Sequence, residues 1–134
     1  MQAMREVILM NKQNIRIWGR EFQMDVQFDC YTGEEVLESQ REAAAALAAS
    51  ESVIEAALEQ VKAYCLSLHR EEIGADKIEN IFKYVAPKYL YVPRTEGKHV
   101  IAIMCNYKFD QEHGIAVVFE DERFARIGKQ EMIL

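Results

Sequence analysis

The sequence predicts a single α+β domain spanning residues 1–134: an antiparallel β-sheet, made of N-terminal strands and a C-terminal meander, with two or three helices inserted in the middle and packed on one face. Three observations carry this expectation. Residues 22–30 alternate between apolar and polar without a break. Residues 39–68 carry an alanine-rich run followed by an apolar stripe at helical spacing. Beyond Pro87 the chain divides into short apolar runs separated by turn residues, as an antiparallel meander requires.

Arg5 to Met10 is a short apolar run, and Asn11-Lys12-Gln13-Asn14 supplies turn chemistry after it. Ile15 and Ile17 resume an alternating pattern, and Gly19 after Trp18 marks a bend or bulge. The clearest strand runs from Phe22 to Cys30, with Gln23, Asp25, Gln27 and Asp29 on the side that faces water. Thr32-Gly33 ends it. Ser39 and Glu42 then have the spacing of a capping box ahead of Ala43 to Ala49. A second box at Ser52 and Glu55, with Ser50 as another cap, opens a helix whose stripe is Ile54, Ala57, Leu58, Val61, Cys65 and Leu68. Gly74 closes that helix. The break between the two helices falls near Ala49–Ser50.

Asp76 is placed to cap a short third helix with Ile78, Ile81, Phe82 and Val85 on its apolar side, stopped by Pro87. Strands follow at 88–92, 99–107, 114–119 and 123–127. Two of them, Val100 to Cys105 and Ile115 to Phe119, are apolar on both faces and belong in the middle of a sheet covered on both sides. Helices cover one side. The other needs a tail, a sheet that curls over on itself or another protein, a second copy of the chain included.

Half the residues are hydrophobic and 28% are charged, which is the composition of a folded globular chain. The run Val7 to Met10 is too short for the core of a signal peptide, and no stretch approaches the roughly 18 apolar residues of a membrane span. Cys30, Cys65 and Cys105 are widely spaced and odd in number, each within an apolar pattern, so they read as core residues of a reducing cytoplasm. The net charge of −6 argues against a nucleic-acid partner, which demands clustered Lys and Arg. That surplus is local. Between Glu34 and Glu72 nine carboxylates face three bases, while the remainder of the chain is neutral.

Candidate sites are few. Cys65 and His69 share a helical face at a spacing that zinc ligands use, but two ligands do not make a site. There is no nucleophile elbow and no phosphate-cradling glycine loop, so no catalytic residue, metal or cofactor is assigned. The hairpin Phe109 to Gly114 gathers Asp110, Glu112 and His113, either as an acid–base or recognition cluster or as ordinary turn chemistry. Glu51, Glu55 and Glu59 stack at successive four-residue spacings on one helix face, either as a solvated surface or as a field that steers a basic partner.

The order of elements, with Glu34 to Gln40 at a helix start, Tyr64-Cys65 late in the second helix, Pro87-Lys88 before a strand and the hairpin Phe109-Asp110-Gln111-Glu112-His113-Gly114-Ile115 followed by Phe119 and Ile127-Gly128, resembles a group of small uncharacterised bacterial domains of unknown function. Some members of that group look like immunity proteins of toxin–antitoxin exchange systems. The likeness runs from about Glu34 to Leu134; Phe109 stands where Trp is expected in the hairpin, and Cys65 where a second aromatic is common. No activity of that group carries over; the missing catalytic motifs and the acidic helix face favour a protein-binding module that masks a basic toxin domain, through Glu51, Glu55 and Glu59 or through Asp110, Glu112 and His113. Two other readings stay open: a small metal-dependent or acid–base enzyme using the Asp110/Glu112/His113 hairpin, and a homodimeric or larger structural protein.

Overall fold

The computed structural model describes the backbone of residues 5–9 and the whole of residues 12–134. Met10 and Asn11, part of the expected first strand and turn, lie outside the described residues. Seven strands and two helices follow in the order β1 (Arg5–Leu9), β2 (Gln13–Ile17), β3 (Arg20–Tyr31), α1 (Glu38–Ala48), α2 (Glu51–Ile73), β4 (Val85–Val92), β5 (Val100–Tyr107), β6 (Ile115–Glu120) and β7 (Arg123–Gly128). The sheet order is β1-β3-β4-β5-β6-β7, and β2 also pairs with β3. The fold is α+β and mostly antiparallel.

β1 and β2 both run antiparallel to β3, from Arg5↔Tyr31 to Leu9↔Gln27 and from Gln13↔Met24 to Ile17↔Arg20. Gln13 and Asn14 therefore belong to a strand, contrary to the turn their residue types suggested. The bend expected at Gly19 is a complete two-residue hairpin turn. Trp18 and Gly19 both take positive φ, +49° and +84°, the combination that matches the twist of paired strands. Trp18 is held there by its indole N–H, which donates to the Ile54 carbonyl at 3.1 Å.

Along β3 the alternation holds at first: Met24, Val26 and Phe28 are buried while Glu21, Gln23 and Asp25 are exposed. It fails at the far end, where Asp29 is only 4% exposed. That half of the strand is covered on both faces, so the expectation of a fully wet side is corrected.

β3 and β4 are parallel, paired from Asp25↔Tyr89 to Phe28↔Val92. This corrects the purely antiparallel sheet. The helices do not merely sit on the sheet; they form the crossover that returns the chain to the same end of the sheet, the only way two neighbouring strands can run in one direction. Gln40 marks the join. It is 1% exposed, and its carboxamide donates to the Asp29 carbonyl at 2.7 Å and the Val92 carbonyl at 3.2 Å while accepting from the Leu37 N–H at 2.9 Å.

Helix starts differ from the capping boxes read in the sequence. Leu37 is the N-cap of α1. Ser39 donates instead to the Thr95 carbonyl, and Glu42 reaches His99. Ser50 is the N-cap of α2, although its hydroxyl turns back to the Ala46 carbonyl. Glu55, the second member of the other expected box, accepts from the Gly19 N–H at 2.9 Å. For Ser39, Glu42 and Glu55 a partner far away in sequence takes the side chain. Gly74 ends α2 with φ +75° as expected. Leu68 does not join the buried stripe and is 54% exposed, next to His69, whose backbone leaves the helical region.

The third helix shrinks to a single 3₁₀ turn at Ile81–Lys83, capped by Asn80 and not by Asp76, which pairs with Arg70 at 2.9 Å. Pro87 lies inside β4, where the register against β5 slips between Pro87 and Tyr89. A proline has no N–H to give the ladder, and an irregular position is where a strand tolerates it.

Residues of α1 and α2 such as Leu47, Ile54, Val61 and Cys65 share one core with Ile101, Ile103, Ile115 and Val117. The alternate residues Val100, Ala102, Met104, Ala116 and Val118, with Tyr91, form a second cluster against which Tyr89 and the C-terminal Ile133 pack. All six are buried within one chain, so their apolar pattern no longer calls for a second copy. No helix among the described residues is long and apolar enough to cross a membrane.

Gln40 is the most consequential polar residue of this frame. Gln40→Ala should cost about 2–4 kcal/mol in urea denaturation, because it strands buried backbone groups at the β3–β4 join. Gln40→Glu should also destabilise, since a carboxylate cannot donate to two carbonyls. A Gln40→Glu variant as stable as the parent protein would show that the donor contacts are unimportant.

Candidate functional site

Three imidazoles are the natural places to look for chemistry, and each is tied into the fold. In the hairpin between β5 and β6, His113 Nδ1 lies 2.9 and 3.0 Å from the two carboxylate oxygens of Asp110, and the His113 N–H donates to the same carboxylate at 3.2 Å. The hydrogen bonds from His113 hold the Asp110 carboxyl below the usual carboxylate range. The His113 carbonyl accepts from the Gln130 N–H, and the Gln130 side chain donates to the Cys105 carbonyl. Gly114 is obligatory between them. Its φ is +58°, and a Cβ there would sit 2.6 Å from both the Cys105 carbonyl oxygen and Gln130 Nε2.

The structure thus brings Asp110 and His113 together and leaves Glu112 apart: Glu112 is exposed and has no hydrogen bond or ion pair among the described residues. The pair braces the hairpin internally, and Gln130 ties it to the C-terminal tail through the His113 and Cys105 carbonyls.

The acidic stack on α2 is also partly spent. Glu51 pairs with Arg16 at 3.0 Å, and Glu55 holds the β2–β3 turn through Gly19. Only Glu59 of the three remains exposed with no bond among the described residues. The two upper glutamates fasten the hairpin to the helix; they do not form a bare field.

Cys65 and His69, at zinc-like spacing, converge on Tyr107. His69 Nδ1 is 2.7 Å from the Tyr107 hydroxyl, and its ring stacks on Phe109 with centroids 5.2 Å apart. Burial pushes the Cys65 thiol above its usual pKa, and it raises the Tyr107 phenol still further. Both groups stay protonated at neutral pH, the opposite of what a thiolate ligand or nucleophile needs.

A cluster the sequence did not suggest lies around His99. Its Nδ1 is 2.6 Å from Glu122 and its Nε2 is 3.2 Å from Glu42 on α1. Its backbone N–H donates to the Asp121 carboxylate at 2.9 Å, and the Asp121 N–H donates to its carbonyl at 2.8 Å. Asp121 and Glu122 form the β6–β7 turn with φ of +48° and +60°, a conformation that costs non-glycine residues of order 1 kcal/mol each. The contacts to His99 hold that turn. Among the described residues, His99, Asp121 and Glu122 are the group that could hold a metal ion, with ligand atoms within 4.8 Å of one another; an ion would have to displace the proton between His99 and Glu122. Two signals were available in the sequence: a histidine directly before a strand, and two acids at a tight hairpin.

A domain-family model described as a domain of unknown function, DUF6985, matches residues 5–134. No curated protein and no solved structure matches the chain.

The hydrogen bond to Glu122, with a further contribution from Glu42, raises the pKa of His99 against the opposing effect of burial. Folding therefore favours the imidazolium, and its stabilising contribution is complete below the unfolded value near 6.5 and lost as pH rises through the folded value. Thermal melts should show a gap between the parent protein and His99→Gln that is wider at pH 6 than at pH 9. A gap that does not vary with pH would mean that His99 acts by packing alone. With the family match covering the chain from Arg5 to its last residue, the protein belongs to the DUF6985 family of domains of unknown function.

Proposed function

We propose that this protein is a non-enzymatic protein-binding module, and that its role is that of an immunity protein which binds and masks a basic toxin domain in a reducing, cytoplasmic compartment. The observation that supports this reading is the employment of its chemical groups. His99 is bonded through both ring nitrogens and His69 and His113 through Nδ1, so each imidazole serves a fold contact. Masking a partner needs no catalyst, only surface. Three core thiols suit a reducing compartment.

The surface on offer is the exposed carboxylates of α2. Glu59, Glu71 and Glu72 are exposed and have no hydrogen bond or ion pair among the described residues, within the segment that carries the whole charge surplus. Such charges act chiefly by accelerating encounter and excluding wrong partners. The enzyme reading of Asp110, Glu112 and His113 is weaker, because the first and last are locked together and Glu112 is not joined to them.

Binding to the protein encoded by the adjacent gene tests this. Glu59, Glu71 and Glu72 changed together to Lys should weaken binding at least tenfold at physiological ionic strength and leave the thermal midpoint close to that of the parent. Glu51 and Glu55 are unsuitable probes, since reversing them would loosen the β2–β3 hairpin. Undiminished binding by the triple variant would remove the acidic surface from the model.

A further inference from the structure

At the start of β4 the surface has the opposite sign. The 3₁₀ turn and the first residues of β4 meet the end of β5, where Val85 pairs with Tyr107 and Ala86 with Asn106. Between them lies an open cleft of about 460 Å³ whose lining includes Phe82, Lys83, Tyr84, Asn106, Lys108 and Gln111. The Lys108 N–H donates to the Tyr84 carbonyl at 2.8 Å, which fixes the two walls together.

The cations of this region sit on aromatic faces. Lys83 Nζ and Lys108 Nζ lie 5.8 and 5.9 Å from the centre of the Tyr84 ring, and Lys108 is 5.8 Å from that of Phe109. Beside the cleft the Arg20 guanidinium is 4.0 Å from the centre of Phe82. None of these three cations has an ion-pair partner among the described residues. No carboxylate lines the cleft. Every charged or amide side chain in its wall can donate a hydrogen bond, and both charges are positive. In a chain of net charge −6, this is where an anion is drawn in.

We propose that this cleft receives an acidic segment of a protein partner. Its carboxylates meet Lys83 and Lys108, an apolar side chain lies against Phe82 and Tyr84, and Asn106 and Gln111 bond its backbone amides. The size suits a few residues of extended chain, since clefts of 300–1,000 Å³ are those that hold compact ligands. Nucleic acid fits less well, because it demands many phosphate contacts from a basic stripe. A second copy of this chain would bring two strongly negative bodies together. The inference rests on the binding-module reading but uses a surface distinct from the acidic side of α2.

Selection from a random heptapeptide display library against the purified protein tests it. The expected winners carry two or more Asp or Glu with an aromatic residue. They should lose at least tenfold in affinity on Lys83→Glu/Lys108→Glu, weaken with added salt, and bind the Glu59/Glu71/Glu72→Lys variant undiminished. Matching thermal midpoints show that both variants fold. The proposal is overturned by winners that are basic, by acidic winners indifferent to Lys83→Glu/Lys108→Glu, or by no enrichment at all. It is also overturned if a single-stranded oligonucleotide or inorganic phosphate displaces the peptides, or if the protein alone forms oligomers that Lys83→Glu/Lys108→Glu disperses. A natural partner lost from the triple variant but retained by the double one leaves the proposed function standing and removes this inference alone.

Discussion

One buried carboxamide sets the arrangement on which the rest of this fold depends. The parallel pairing of β3 and β4 joins the N-terminal hairpin to the C-terminal meander, and its last pair is Phe28↔Val92. Just past that pair Gln40 takes up the carbonyls of Asp29 and Val92, while its oxygen organises the first turn of α1. Sheet, crossover and helix start are thus registered against one another through a single side chain. Its polar atoms are fully engaged, which is the condition under which a polar group in a core specifies a structure. Remove that condition and the same group becomes a liability of the kind buried amides always represent.

The elements whose signals are local could be read from the chain. The alternation from Phe22 to Phe28, the break between α1 and α2, the left-handed stop at Gly74 and the doubly apolar central strands all depend on near neighbours or on burial pattern. Features decided at long range were misread. Ser39/Glu42 and Ser52/Glu55 have the spacing of capping boxes, yet Thr95, His99 and Gly19 claim three of those four side chains. No window of sequence contains those partners. The parallel pair was missed for a similar reason, since nothing in β3 or β4 alone states which way its neighbour runs. Of the candidate site, the Asp110–His113 contact was legible because its members are only three positions apart. The His99 cluster gathers residues from α1, the start of β5 and the β6–β7 turn, and only the fold assembles it.

The surplus of negative charge is less idle than composition suggests. Carboxylates hold a hairpin onto a helix at Glu51 and Glu55, the β3–α1 loop onto Arg94 at Glu34, and two turns through Asp110 and Asp121. Most of these pairs are exposed and individually weak. Their common effect is positional: they decide how turns and helix ends sit against the sheet. The charges without hydrogen-bond or ion-pair partners among the described residues include an acidic set on α2 and a basic set at the entrance to β4. A protein whose structural needs are met by its other ions has left these groups to the solvent, and they are the surfaces any partner meets first.

The position of Trp18 has a practical consequence. It is the sole tryptophan in the chain, it is buried at the tip of the β2–β3 hairpin, and its indole is bonded to the backbone of α2. Its emission therefore reports on the seam between hairpin and helix and is blind, to first order, to the central strands. Intrinsic fluorescence and backbone circular dichroism watch different parts of this molecule, so agreement between them during unfolding is a direct measure of whether the hairpin and the sheet melt as one unit.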